Sequence, residues 1–173
     1  MSKKLLVTAA ATVALLTGAN AFAAGHSIKI GLMATLEGTY TVLGEDGVRG
    51  AKTALAAFGG MAGGKEIELV IQSTDASPDS AVRAARKLVE QDGLDIVVGP
   101  LSGSEGSAIR DYSKTQPQTT FINGASGAQE TTFVNPSENF FRFNSEGAQW
   151  SKGLGEYVYN EKGYETVATI GED

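Results

Sequence analysis

The sequence contains no cysteine and only one histidine, His26. Without cysteine the chain has no disulfide, no thiolate zinc site and no lipid-modified cysteine after a signal sequence. A single histidine near the N terminus supports neither a serine-hydrolase triad contained in this chain nor a histidine zinc site. We therefore predict no catalytic residue, no metal and no other cofactor in this chain.

Basic residues are also scarce, with 14 Lys and Arg against 20 Asp and Glu, which gives a formal net charge of -6 at pH 7. An acidic surface repels nucleic acid and anionic membranes, so we expect no nucleic-acid partner. Nothing after the N-terminal segment is apolar for long enough to span a bilayer.

The N-terminal segment has the pattern of a secretory signal. Lys3 and Lys4 precede a short apolar run over residues 5–16, and Ala21-Phe22-Ala23 has the small-x-small form of a cleavage site. We predict that residues 1–23 are a signal peptide cleaved near Ala23, which would deliver the mature chain to the periplasm. The alternative is an uncleaved N-terminal anchor.

Strand and helix patterns alternate along the rest of the chain. Apolar runs between turn residues predict strands at 28–34, 66–72, 95–98, 119–122, 139–143 and 166–170. Helical spacing predicts helices from 45 to about 58, from 78 to 92, and over 107–114 and 146–161. This alternation predicts an α/β fold, an open and mostly parallel sheet with helices on both faces.

The helix after Ser77 has the clearest pattern. Ser77 supplies a capping hydroxyl, Pro78 takes the first helical position, and Asp79 complements the helix dipole. A single buried stripe is predicted, formed by Ala81, Ala84, Ala85, Leu88 and Val89.

Several other conspicuous residues are assigned to structure. We expect Trp150 and Tyr157 in the core and the aromatic group of Phe140, Phe141 and Phe143 in packing. Glu105 and Glu130 are expected to be solvated acids at helix starts, and Asp75 is expected in a turn.

Two loops of small residues follow neighbouring predicted strands. The first covers residues 99–106 and the second residues 123–130. The first fits neither the phosphate loop G-x-x-x-x-G-K-[ST] nor the dinucleotide pattern G-x-G-x-x-G. The second contains nearly G-x-S-x-G over 124–128, but it lacks the last glycine and a base.

These loops do offer hydroxyls, backbone N–H groups and helix N termini. Such groups favour an anion by about 0.3 to 1 kcal/mol each, and up to about 2 when partly buried. The carboxyl ends of parallel strands share one edge of the sheet, so both loops are expected at one site for the carboxylate of a small molecule. Tyr40, in the loop after the first strand, is a candidate wall for the apolar part. The alternative is that each loop only forms a tight turn.

Four segments together resemble a known family. They are residues 28–34 leading into Gly38-Thr39-Tyr40, the helix start Gly47-x-x-Gly50-Ala51, Gly99-Pro100-Leu101-Ser102, and Asn123-Gly124-Ala125. They resemble the periplasmic branched-chain amino acid binding proteins of ABC importers, which have the type I periplasmic binding protein fold. The resemblance implies two lobes joined by a hinge, with residues 24–144 as the N-terminal lobe and residues 145–173 as the incomplete start of the second.

The resemblance also implies a set of ligand-binding residues. The carboxylate-binding position of the family falls on Gly103, where the family has a serine, and Ser102 and Ser104 flank it. The following strand's loop maps to Ala125, Ser126 and Gly127, with glycine where the family has threonine. The apolar wall of the first loop maps near Leu43, with Tyr40 close by.

The function implied is capture of a small carboxylate, a branched-chain amino acid or similar, between the lobes and delivery to the membrane permease of an ABC importer. The full-length protein is expected to be a monomer, and the groups that hold a ligand's ammonium are expected beyond Asp173. The alternative is a ligand-sensing domain of a receptor or regulator with the same fold. The ligand stays open, with aromatic carboxylates and small amides as further candidates.

Overall fold

A computed structural model describes residues 27–170. The predicted signal peptide, its cleavage site and His26 lie outside this range. The strands are β1 Ile28–Thr35, β2 Met61–Ala62, β3 Lys65–Thr74, β4 Ile96–Val98, β5 Thr120–Ile122 and β6 Phe140–Phe141. The helices are α1 Thr41–Ala57, α2 Pro78–Arg86, α3 Gly103–Ser113, α4 Gly147–Trp150 and α5 Leu154–Glu156. A π-helical turn, Lys87–Gln91, continues α2, and another, Tyr157–Glu161, continues α5.

The strands form one six-stranded sheet in the order β2-β3-β1-β4-β5-β6. All neighbouring pairs are parallel except β2 and β3, which form a short antiparallel hairpin. The crossover through α1 leads from β1 to β3 on one side, and those through α2 and α3 lead back across the sheet to β4 and β5. Crossovers between parallel strands are right-handed as a rule. They place α1 on the face opposite to α2 and α3. The α/β fold class predicted from the sequence is confirmed.

The main core lies between the sheet and the helices α2 and α3. The predicted stripe of α2 is confirmed, since Ala81, Ala85 and Leu88 are fully buried and Val89 packs beside them. Phe121 of β5 is also fully buried and meets Tyr112 of α3 edge to face, with ring centroids 5.9 Å apart. This packing fixes where α3 begins relative to the edge of the sheet.

Two helices begin earlier than the sequence pattern predicts. Helix α1 begins at Thr41, whose Oγ1 donates to the carbonyl of Gly38 at 2.8 Å, so Leu43 lies in the first turn and not in a loop. Helix α3 begins at Gly103 and not at Ser107, because a capping box forms at its N terminus and outweighs the low helix propensity of glycine. Phe58, the residue after the last turn of α1, is 78% exposed.

The predicted helix over 146–161 is interrupted, and the predicted strand over 166–170 is absent. Gly153, with φ +84°, separates α4 from α5. Residues 163–170 pair with no strand among the described residues, and Val167 is 76% exposed. An alternating apolar pattern forms a strand only where a neighbouring strand accepts its hydrogen bonds.

Some aromatic residues also lie outside the core. Phe140 is buried as predicted, whereas Phe141 and Phe143 are exposed at the edge of the sheet. Tyr157 is half exposed, so its predicted core position is wrong. Within residues 27–170, no helix combines the length and the apolar character that crossing a membrane requires.

Candidate ligand-binding site

The loops that follow β1, β4 and β5 meet at the carboxyl edge of the sheet around a cavity of about 230 Å³. Its lining residues are Tyr40, Leu43, Leu101, Ser102, Gly103, Ala125, Gly127 and Trp150. Six of these belong to the set predicted from the sequence, while Leu101 and Trp150 do not. Ser104 and Ser126 were in the predicted set but do not line the cavity.

The N terminus of α3 forms the polar wall of this cavity. Ser102 is the N-cap residue, and its Oγ accepts from the backbone N–H of Glu105 at 3.3 Å. The backbone N–H of Gly106 donates to the carbonyl of Ser102 at 3.0 Å. The N–H groups of Gly103 and Ser104 have no acceptor among residues 27–170, as is usual for the first turn of a helix. These N–H groups are suited to an anion.

The hydroxyl of Ser102 already has hydrogen-bond partners within the protein. It donates to the carbonyl of Ala76 at 3.0 Å and lies 3.3 Å from the Oγ of Ser104. Because its one proton goes to Ala76, Ser102 has none left for a ligand carboxylate. The hydrogen bond between the two hydroxyls is then donated by Ser104 to Ser102. Ser104 is exposed, so its hydroxyl can rotate away from Ser102 to donate to a ligand at this helix end.

Ala76 is held in place by a turn at the end of β3. Its φ is +71°, an uncommon left-handed conformation for a residue with a side chain. Next to it, the Asp75 carboxylate accepts from the backbone N–H of Ser77 at 2.9 Å. Hydrogen bonds from the side chains of Ser77 and Ser80 and from this N–H lower the pKa of Asp75 to about 2. The turn predicted for Asp75 is therefore confirmed, and it carries the acceptor that fixes Ser102.

Glu105 is fully buried, so the prediction of a solvated acid is wrong. Its Oε2 accepts from the backbone N–H of Ser102 at 2.9 Å, which completes the capping box. Its Oε1 has no donor among the described residues. The spacing Ser-x-x-Glu over 102–105 was the available sequence signal for this arrangement. Glu130, by contrast, is exposed, as predicted for a solvated acid, but it lies in a 3-10 turn, Gln129–Thr131.

The β5 loop joins the β4 loop through the backbone. The N–H of Ala125 donates to the carbonyl of Pro100 at 3.1 Å. A Cβ at Gly124 would lie 2.6 Å from that same carbonyl oxygen, so only glycine allows this approach. Ser126 is fully buried, and a Cβ at Gly106 of α3 would overlap its Oγ. Ser126 therefore faces α3 and not the cavity.

Trp150 of α4 covers the other side of the cavity. It is 60% exposed, so its predicted core position is wrong. Its Nε1 donates to the Oγ of Ser145 at 2.7 Å, and its six-membered ring lies against Gly127. The backbone N–H of Gly147 donates to the carbonyl of Gly127 at 2.8 Å, which connects the start of α4 to the β5 loop. No local sequence pattern indicated this contact, because it depends on how the chain turns after β6.

Arg142 shapes the β5 loop. Its guanidinium donates to the carbonyls of Ser126 and Ala128 at 2.6 and 2.7 Å, and to the hydroxyls of Thr131 and Thr132. Burial lowers the pKa of Arg142. These partners occupy the guanidinium, so this cation holds the loop and does not face a ligand.

The described residues contain no group of acidic or histidine side chains that could hold a metal. The cavity is lined by apolar side chains, small residues and one tyrosine, and Gly103, which has one of the unpaired N–H groups, lies on its lining. This arrangement can bind a small molecule that has one anionic group and an apolar body.

Comparison with known proteins relates the chain to one family. A family model described as "Periplasmic binding protein" matches residues 27–173. No curated protein sequence matches the chain significantly.

Solved structures of substrate-binding proteins are also similar to this chain. An ABC transporter substrate-binding protein from Sphaerobacter thermophilus is 30% identical, with a TM-score of 0.71, over 80% of this chain and 38% of that one. An R. palustris solute-binding protein in complex with benzoate shares the fold at 24% identity, with a TM-score of 0.73, over 79% and 38% of the two chains.

A branched-chain amino acid transporter substrate-binding protein from Streptococcus pneumoniae, in complex with isoleucine, also shares the fold. It is 22% identical, with a TM-score of 0.68, over 79% of this chain and 39% of that one. The chain thus spans less than half of the length of these structures. By the family match and the shared type I fold, the chain belongs to the periplasmic binding protein family.

Proposed function

We propose that this chain supplies the N-terminal lobe of a two-lobed substrate-binding protein. Residues 24–144 form that lobe, and residues 145–173 begin the second one. The proposal is supported by the match to the family model and by the share, 38%, that the chain covers of the Sphaerobacter thermophilus protein. The ligand is then captured between the lobes, at the cavity at the carboxyl edge of the sheet.

The ligand class we propose is a small carboxylate, such as a branched-chain amino acid or an aromatic acid. The observation that carries this proposal is the pair of unpaired N–H groups in the first turn of α3, one on Gly103, which lines the mainly apolar cavity, and one on the adjacent Ser104. A hydrogen bond to a charged group contributes about 1.5 to 3 kcal/mol, more than one to a neutral group. A carboxylate at this helix end is therefore favoured over a neutral amide of the same shape.

The biological role we propose is transport. The protein delivers its ligand to the membrane permease of an ABC importer, acts in the periplasm and is a monomer at full length. The support is that the 30% identical structure is an ABC transporter substrate-binding protein, together with the signal-like residues 1–23. The cavity lining contains no pair of nucleophile and base, so we propose binding without catalysis.

The test uses the complete gene product and a thermal-shift screen of matched pairs, benzoate with benzamide and leucine with leucinamide. We expect at least one of the acids to raise the melting temperature and its amide to have little effect. A ligand at 100 times its Kd stabilises the folded state by about 2.7 kcal/mol. Equal shifts from an acid and its amide would contradict a carboxylate site.

Two substitutions at Gly103 test the backbone donor directly. Gly103→Pro removes the N–H, and proline suits the first helical position after the extended Ser102. Gly103→Ala keeps the N–H, and its Cβ would lie 3.8 Å from the Cβ of Ala128, which is an ordinary contact. We expect Gly103→Pro to weaken the binding of the acid found in the screen by about tenfold or more, and Gly103→Ala to change it little.

A further inference from the structure

We propose that Gly127 and Trp150 form an interlocked pair that selects planar aromatic carboxylates over non-planar ones of the same size. The inference rests on the proposed function, because it concerns the apolar half of the same cavity. Both residues line that cavity, one from the β5 loop and one from α4.

The first step is the reason for glycine at position 127. Its φ lies outside the left-handed range, so the backbone conformation does not require glycine there. The lack of space around position 127 does require glycine, because a Cβ there would lie 2.6 Å from Cη2 and 2.8 Å from Cζ3 of Trp150. Carbon atoms in contact are about 3.5 to 4.0 Å apart, so any side chain at position 127 displaces the indole.

The second step is the orientation of the indole. Its one polar atom, Nε1, donates to the Oγ of Ser145 at 2.7 Å and so needs no partner in the cavity. The carbon atoms of the six-membered ring therefore meet Gly127 and the cavity. Trp150 is nevertheless 60% exposed, which leaves ring surface available to a ligand.

The third step concerns the shape of the ligand. Leu43, Leu101 and Tyr40 complete the apolar lining, and the cavity of about 230 Å³ is smaller than the range of about 300 to 1,000 Å³ typical of drug-sized ligands. A single ring or a short aliphatic chain suits that volume. Aromatic rings attract each other beyond the effect of buried area, so the indole favours a ring with a π-system.

The test compares benzoate with cyclohexanecarboxylate by isothermal titration on the complete gene product. Both carry one carboxylate on a six-membered ring, but only benzoate is planar. We expect benzoate to bind about 2- to 12-fold more tightly, as one aromatic pair provides. We expect Trp150→Leu to abolish the preference and Trp150→Phe to retain most of it.

The interlock itself is tested by a double-mutant cycle. Gly127→Ala should displace the indole and weaken benzoate binding about as much as Trp150→Leu does. In the Trp150→Leu background the space is open, so Gly127→Ala should then have little further effect. If the two effects simply add, the residues do not act as a pair and the proposal fails.

Tyr159→Leu is the matched control, because Tyr159 is a similarly exposed aromatic residue, at 66%, that does not line the cavity. Circular dichroism of each variant without ligand checks its folding. Should Trp150→Leu not fold, Trp150→Phe and Gly127→Ala decide the question, since only Gly127→Ala is expected to reduce the preference.

The measurements distinguish a failure of the proposed function from a failure of the Gly127–Trp150 inference. If no carboxylate binds to the unmodified protein, the proposed function fails. If cyclohexanecarboxylate binds as tightly as benzoate and Trp150→Leu affects both equally, carboxylate capture stands and the Gly127–Trp150 inference is overturned.

Discussion

At the N-cap of α3, one hydroxyl group decides which atoms are left for a ligand. Ser102 accepts from the backbone of Glu105 and gives its proton to the carbonyl of Ala76. The resemblance to the family implied Ser102 and Ser104 equally as ligand-binding residues beside Gly103. The hydrogen bonds distinguish the two serines, because the hydroxyl of Ser102 already donates its only proton to Ala76 while it caps α3. In our proposal the ligand therefore binds the two N–H groups, and the exposed hydroxyl of Ser104 turns from Ser102 to the ligand.

The low pKa of Asp75 predicts a pH-dependent stability for the turn that holds Ala76. The pKa in the folded state is about 2, below the ordinary value of 3.8 for an aspartate, so the carboxylate stabilises the fold above about pH 4. That stabilisation is lost as the pH falls towards 2. We expect Asp75→Asn to lower the melting temperature at pH 7, with a difference from the unmodified protein that shrinks between pH 4 and pH 2.

Asp92→Asn is a suitable control for this series. Asp92 is exposed, and its side chain makes no hydrogen bond among the described residues. We expect melting curves of Asp92→Asn to follow those of the unmodified protein at each pH. A difference for Asp75→Asn that is the same at pH 7 and pH 2.5 would contradict the role of its charge.

Individual residues were predictable where the signal is local. The Ser77-Pro78 helix start and the turn at Asp75 follow from the preferences of these three residues, which lie within a four-residue segment. The capping pair of Ser102 and Glu105 was equally local and could have been found. Trp150 was not predictable, because its exposure depends on the interruption at Gly153 and on contact with a distant loop.

Among the helices, α2 carries the strongest link between sequence pattern and packing. Leu88 is fully buried, and a Cβ at Gly31 of β1 would lie 2.9 Å from its Cδ1. We expect Leu88→Ala to lower the free energy of unfolding by about 2 to 5 kcal/mol, because the truncation leaves a cavity over β1. Urea denaturation measures this loss.

Leu154→Ala is the matched control, since Leu154 lies in α5 and is 56% exposed. We expect its effect to stay within about 0.5 kcal/mol, as for other surface substitutions. Similar losses for both leucines would show that Leu88 is not the better packed of the two.

Elements at the two ends of the chain differ in how well they were predicted. β1, β3, β4 and β5 pair side by side, so an apolar run there finds neighbours on both sides. Residues 166–170 have the same kind of pattern but no neighbouring strand among the described residues, and they form none. The pattern reports the tendency to be buried in a sheet, while the partner decides whether a strand forms.

On the scale of the whole molecule, the site lies on one side of a cleft that we propose the second lobe completes. The two unpaired N–H groups contribute about 1.5 to 3 kcal/mol each to the binding of a charged ligand, whereas micromolar affinity needs about 8 kcal/mol. We expect the isolated 173-residue chain to bind leucine and benzoate more weakly than micromolar in isothermal titration. Micromolar affinity for either ligand on this chain would mean that one lobe suffices.

Trp150 is the only tryptophan in the 173 residues, and it lies on the wall of the cavity. The indole emission of this chain therefore comes from a single position, and that position is the candidate site itself. A ring that settles against Trp150, or a shift of α4 away from Gly127, alters the surroundings of the fluorophore directly. The chain thus contains its own optical probe of occupancy, without any attached dye.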